Sequence, residues 1–345
     1  MNPTDTGIGR LRDGHRRVAG THAAAPARTR ASRALWIVAL LMLAGAGIAP
    51  TLLNGYQVFV LSLALCYMVA TIGLNISLGW TGMLVFSGSA FFGIGAFVAG
   101  RAASLGVPAE LALLAALVVG AVVGLAYGAM TVKLNRYYFA ITGIALMFIL
   151  NFFYRNFPDI TGGYSGFSIP YPRFLTLGGS ALFSQQGLYY VGVIMVVLAY
   201  LGARYLERSP LGRGWRVVSQ NPDIASALGV NVRRSKMLSF GISMSFISFG
   251  GAWFGYLSFR FLPETYMFTD LLFIFLVLIV GGVGSINGMI VGSFFLVLLR
   301  EYLRGFPGLS ELIYGVLLLL VVLFFSEGVY GALRSRFPSL REGVL

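Results

Sequence analysis

The chain has 345 residues, of which 57% are apolar and 11% charged, with a mean hydropathy of +0.82 and a formal net charge of +13. So much apolar surface exceeds what a water-soluble core hides, and it excludes soluble folds in favour of an integral membrane protein. The positive charge is not a nucleic-acid footprint: seven arginines lie in residues 1–33 and seven basic residues between Arg204 and Lys236. Short basic segments beside membrane spans resist translocation and mark the cytoplasmic side.

Residues 1–33, rich in Arg, Ala, Thr and Gly, bury too little to fold and read as a disordered, basic, cytoplasmic tail. Their Arg-rich, acid-poor composition also resembles an organelle transit peptide, without a clear amphipathic stripe. A transmembrane domain is expected over 34–331. Crossings are predicted at 34–53, 56–74, 88–105, 109–131, 137–155, 188–206, 236–259, 267–282, 286–303 and 309–330, followed by a cytoplasmic tail at 332–345. A span needs about 20 mostly apolar residues. The stretches Leu111–Met130 and Leu312–Phe325 are apolar all round, not alternating as barrel strands are, so the fold class is all-α. Ten crossings place both termini in the cytoplasm. Arg300 and Arg304 then fall on the far side, so 267–304 reads alternatively as a half-helix followed by a full span. Trp36, Tyr137, Tyr138, Tyr154, Tyr189, Tyr190, Tyr266 and Tyr314 lie near span ends, as an interfacial belt requires.

Two polar loops stand out. Residues 156–187, with Pro158, Asp159, Thr161, Gly162, Gly163, Ser165 and Gly166, are expected outside. The cytoplasmic loop 207–235 contains a short helix near 222–228. Asn221 caps it, Pro222 suits its first position, Asp223 complements the positive end of its dipole, and Gly229 takes the left-handed turn that ends it. At 1.5 Å per residue such a helix is about 10 Å long, too short to span and suited to docking; an ordinary ordered loop is the alternative.

The chain carries little chemistry of its own. Both histidines, His15 and His22, lie in the tail, and Cys66 is the single cysteine, placed mid-span as packing. Gly163-Tyr164-Ser165-Gly166 resembles the nucleophile motif of intramembrane serine proteases, but no histidine follows it to activate a serine, so these residues read as turn formers. Lys133 and Lys236, the only lysines, complete no phosphate-binding loop, so no cofactor is expected and any ATP is handled by another subunit. Acidic residues fall in tails, loops or span ends, which disfavours a proton-coupled carrier. A sodium-coupled secondary carrier of small zwitterions, acting without an ATPase, stays open, because unwound carbonyls bind sodium without a carboxylate. A passive channel is the remoter class.

Two Gly-rich segments are candidates for a solute path. Residues 73–97 place Asn75, Ser77, Gly79, Thr81, Gly82, Ser87 and Ser89 at span depth. Residues 281–288, GGVGSING, do likewise with Gly281, Gly282, Gly284, Ser285 and Asn287. Broken helices there expose backbone amides and carbonyls as ligands for a zwitterion. Close helix packing through small residues is the competing reading.

The run GLNISLGWTG, then SAFFGIGAF, TGGYSG, SPLGRGWRVVSQNPDIASALGVNV and LLFIFLVLIVGGVGSINGMIVGSF resembles the membrane permeases of branched-chain amino acid ABC importers, the LIV-type family in its M-subunit branch, over residues 55–330. The resemblance implies a ten-helix permease of the bacterial inner membrane, not an enzyme by itself. Its implied partners are a homologous second permease, two cytoplasmic ABC ATPases and an extracytoplasmic solute-binding protein, with alternating access as mechanism. It further implies that the helix around Asp223, Ala225, Ala227 and Gly229, with Arg213, Arg216 and Asn221, couples to the ATPase. Where relatives commonly carry a Gln, a Ser and a Gly-His pair, this chain has Met83, Val85, Ser87 and Gly88, a less polar lining. Branched-chain and other amino acids, urea, short amides and aromatic acids are all transported within the family.

Overall fold

The computed structural model describes residues 53–168, 171–174, 185–266 and 268–305, with single positions at 50, 312, 313, 315, 316 and 319. The tails at 1–33 and 332–345 lie outside these residues, and the expected crossings 34–53 and 309–330 reach them only at single positions. In chain order the helices are α1 (Gly55–Thr81), α2 (Gly88–Ser104), α3 (Ala109–Thr131), α4 (Arg136–Asn156), α5 (Pro158–Thr161), α6 (Gln185–Arg208), α7 (Pro210–Gln220), α8 (Pro222–Ala227), α9 (Val232–Ser258), α10 (Phe268–Gly281) and α11 (Ile286–Leu303). Among the described residues α1, α3, α4, α6, α9 and α11 are long and apolar enough to cross a membrane.

The eight crossings expected within the described residues all coincide with helices, but two are short. α2 has 17 residues and α10 has 14. At 1.5 Å per residue α10 extends about 21 Å, short of the roughly 30 Å hydrocarbon layer, which favours the half-helix reading of 267–304. α1 departs from expectation in the other direction: it continues past residue 74 to Thr81 and ends where Gly82 turns left-handed at φ 70°.

α9 is the central helix, packed against α1, α2 and α3, while α1 also packs against α6 and α11. Close backbone approach makes this possible. A Cβ on Gly95 of α2 would collide with the Ser248 carbonyl of α9, and one on Gly251 of α9 with the Phe92 carbonyl of α2. α3 shows the membrane form of amphipathicity: Ala112, Ala116, Gly120, Gly124 and Gly128 face inward, whereas Leu111, Leu114, Val118 and Val122 are exposed. Small residues pack against neighbouring helices and large apolar ones face outward, as lipid contact requires.

The loop following α5 is ordered by turn chemistry. Gly162, Gly163 and Gly166 all have positive φ, and Thr161 Oγ1 donates to the Tyr154 carbonyl at 2.7 Å. Phe167–Ser168 then pairs antiparallel with Arg260–Phe261 as a two-residue ribbon. The aromatic belt is only partly as expected. Tyr137, Tyr138 and Tyr190 are exposed, but Tyr154, Tyr189 and Tyr266 are buried, and Tyr154 Oη donates to the Ala90 carbonyl at 2.9 Å. Trp36 and Tyr314 lie outside the described residues. Cys66 is buried, as expected of a packing residue.

Candidate functional site

The two Gly-rich segments meet. Asn75, inside α1, directs its Oδ1 at the backbone N–H of Gly284, which donates at 2.7 Å, and Trp80 Nε1 donates to the Gly284 carbonyl at 3.4 Å. Gly284 (φ 90°) and Gly282 (φ 95°) form the turn between α10 and α11, a conformation that only glycine adopts without strain. Gly79 lets the turn approach: a Cβ there would collide with Asn75 Oδ1 and lie 2.7 Å from the Gly284 nitrogen. On the other side of the turn a Cβ on Gly281 would lie 2.5 Å from the Gly288 carbonyl.

The expected break in 73–97 is therefore narrower than the segment. Asn75, Gly79 and Thr81 belong to a regular helix, and the interruption is confined to Gly82 through Ser87, before α2 begins at Gly88. Thr81 is occupied structurally, its hydroxyl 2.6 Å from the Ser77 carbonyl and 3.0 Å from Ser239 Oγ. Ser285 caps α11, its side chain accepting from the Gly288 N–H at 3.2 Å.

Among the described residues, four buried polar atoms of the first segment have no hydrogen-bond partner: Asn75 Nδ2 and the hydroxyls of Ser77, Ser87 and Ser89. Leaving such a group unsatisfied costs about 1–3 kcal/mol, so this concentration in one 15-residue stretch marks a place where polar groups are kept for something other than packing. Met83 and Val85 beside them are buried.

The loop 207–235 reaches the same turn. α7, which the sequence reading did not anticipate, opens with Ser209 as cap and Pro210 at its first position. Its Trp215, fully buried, stacks on Trp80 with ring centroids 6.2 Å apart. A second link is polar. Arg216 Nη2 and Arg204 Nη1 both donate to Glu207, at 2.5 and 2.8 Å. Arg204 Nη2 donates to Asn287 Oδ1 at 2.9 Å, and Tyr200 Oη donates to the same oxygen at 3.1 Å. Asn287 is the second residue of α11, so α7 is tied through Glu207 and Arg204 to the turn that Asn75 holds.

α8 is built as expected. Asn221 Oδ1 accepts from the N–H groups of Asp223 (2.9 Å) and Ile224 (3.2 Å), and Gly229 is left-handed at φ 79°. Asp223 and Ala227 are exposed, whereas Ala225 is fully buried and faces the fold. Arg213 is exposed and donates to the Arg208 carbonyl at 2.9 Å. The residues missed are Ile224 and Leu228, 55% and 69% exposed on this tip between Asp223 and Gly229. Their signal was present, two large apolar side chains four positions apart in a loop with no span to belong to.

Residues 56–323 match the protein family described as branched-chain amino acid transport system / permease component. Among curated proteins, the chain is 29% identical to the high-affinity branched-chain amino acid transport system permease protein LivM of Escherichia coli (strain K12), over 90% of this chain and 77% of that protein. It is 23% identical to a probable branched-chain amino acid transport permease protein LivM of Methanocaldococcus jannaschii, over 68% of this chain and 72% of the relative. A probable LivH permease of the same organism matches at 26% over 41% of this chain and 46% of the relative. No solved structure matches.

Proposed function

The chain belongs to the branched-chain amino acid transport system permease family, and from that premise we propose how it works as the membrane permease subunit of an ABC importer. It is a multi-pass membrane protein and not an enzyme by itself. A self-sufficient sodium-coupled carrier is set aside, because the family is a component of a larger transport system. The LivM and LivH relatives support a second, homologous permease as partner. Two cytoplasmic ATPases, which bind the ATP, and an extracytoplasmic solute-binding protein complete the assembly in a bacterial inner membrane. Both termini are cytoplasmic and the membrane holds about ten helices, α10 together with its turn forming a re-entrant element. The cargo is an amino acid or related small polar solute, the relatives being named for branched-chain amino acids.

One observation carries the mechanism: Gly284 is contacted by Asn75 and Trp80, and Trp80 stacks on Trp215 of the cytoplasmic loop. The ATPases seat α8 through Asp223, Ile224, Ala227 and Leu228, with Arg213 beside it, while Asn221 and Gly229 fix the shape of the tip. Movement of α8 shifts α7, and Trp215 and Arg216 pass that shift to the turn between α10 and α11. Opposing displacement of Asn75 and Gly284 opens the path that Ser77, Ser87 and Ser89 line, its polar groups replacing part of the solute's hydration. Alternating access needs such a two-position element, which rigid helices joined at a glycine turn provide.

Affinity purification of the tagged chain from membranes in mild detergent, beside a variant carrying Asp223→Ala and Gly229→Val, tests this. Recovery of an ATPase with the parent and its loss with the variant is expected. A parent that purifies without ATPase or second permease overturns the reading.

A further inference from the structure

Away from the Gly284 turn, at the opposite end of α10 and α11, a cavity of 410 Å³ opens between α1, α9, α10 and α11. That volume lies within the range of about 300–1,000 Å³ typical of small-molecule sites. One wall is apolar, with Phe59, Leu63 and Val297. The other carries two acids and two bases. Asp270, 8% exposed in its side chain, accepts from Arg300 Nη1 at 3.2 Å, and the same nitrogen donates to Tyr67 Oη at 3.0 Å. Glu301 pairs with Arg304 at 3.3 Å and accepts from Tyr56 Oη.

Packing does not require this set. Replacing a buried ion pair by apolar side chains is often neutral or stabilising, so ionisable groups kept among membrane helices point to function by default. The charges cancel, so the cavity favours neither a net anion nor a net cation. What such a set complements is a molecule carrying both signs a few ångströms apart together with an apolar part.

We propose that this cavity binds a free, neutral α-amino acid with an apolar side chain. Its carboxylate lies on the Arg300 guanidinium, its ammonium on the Asp270 and Glu301 carboxylates, and its side chain on the Phe59–Leu63–Val297 wall. The inference rests on the permease reading and on its orientation, which places this end of α10 outside. The site receives solute before the path at Gly284 opens. A phosphatidylethanolamine headgroup offers the same pairing of anion and ammonium, so the test separates the two sources.

Thr269, exposed at the cavity, is changed to Cys in the assembled importer, reconstituted in phosphatidylglycerol vesicles with and without phosphatidylethanolamine. Cys66 is buried, so the parent chain serves as the unlabelled control for a membrane-impermeant thiol reagent. L-Leucine is expected to slow labelling at least about tenfold, equivalent to 1.4 kcal/mol of protection. Isoamylamine and 4-methylpentanoate, each lacking one charge, are expected to leave it unchanged. Adding Asp270→Asn is expected to abolish the protection, with labelling in the absence of leucine retained as evidence of a folded cavity; Arg300→Lys, which keeps the charge, is expected to retain part of it. Labelling that leucine does not change overturns the assignment, as does protection that follows phosphatidylethanolamine and not leucine. ATP-driven leucine uptake and ATPase recovery, measured on the same vesicles, report on the permease reading independently.

Discussion

Asn75 and Gly284 are 209 positions apart and joined by a single 2.7 Å hydrogen bond, in which a side-chain oxygen inside α1 receives the backbone N–H of the turn between α10 and α11. The bond also orients the carboxamide: with Oδ1 committed to a donor, Nδ2 is left buried and without a partner among the described residues. One residue thus fixes the turn and directs a donor into the helix bundle.

Asn75→Ala removes the acceptor and strands the Gly284 amide, at a cost of about 1–3 kcal/mol. Uptake by the assembled importer is expected to fall at least about tenfold with a lower melting temperature, read by radiolabelled uptake in proteoliposomes and by thermal unfolding of the purified chain.

Gly79→Val should be at least as severe. The added Cβ meets Asn75 Oδ1 and the turn at Gly284, and overpacking of this kind costs about 1–3 kcal/mol. Gly106→Ala serves as the contrast, because nothing lies within 4 Å of a Cβ there; with φ at 76° its cost is confined to backbone strain of about 1–2 kcal/mol, and uptake per folded importer is expected to be retained.

Glu207 is the joint of the polar link, accepting from Arg204 and Arg216 at once. Glu207→Gln weakens both bonds, and the importer is expected to keep its ATPases and hydrolyse ATP while uptake per ATP falls. Arg216→Gln and Asn287→Ala should then be non-additive in uptake, since they act on one chain of contacts; strict additivity would show that they do not.

Most of the helical layout was legible in the sequence because membrane spans announce themselves by length and apolarity. The α8 tip was legible because caps are local: Asn221, Pro222 and Gly229 specify their own conformations. The end of α1 was misplaced because Gly73, Asn75, Ser77 and Gly79 read as helix breakers, whereas tertiary packing against α9 and Gly284 keeps them helical; a Cβ on Gly73, for example, would lie 2.9 Å from the Ser243 carbonyl. α7 was missed because Gly212 and Gly214 dilute its pattern. Asp270 and Arg300, 30 positions apart, carry no local sign of their pairing; only the misfit of Arg300 with the predicted topology hinted at it.

The exposed apolar pair of α8 yields a prediction that separates docking from folding. Ile224→Ser with Leu228→Ser removes two exposed side chains and should leave thermal stability within about 0.5 kcal/mol, as surface changes do. Loss of the ATPase on purification is expected. Asn221→Ala, by contrast, should cost about 1 kcal/mol through loss of the cap and weaken ATPase recovery only partly.

Nucleotide at the ATPases is expected to move the turn that Asn75 holds. Val283, exposed in that turn, is changed to Cys, and its labelling by a thiol reagent is timed in the assembled importer with and without ATP. The rate is expected to change with ATP hydrolysis in the parent background and to cease changing when Glu207→Gln is added. A rate indifferent to nucleotide while uptake proceeds would contradict it.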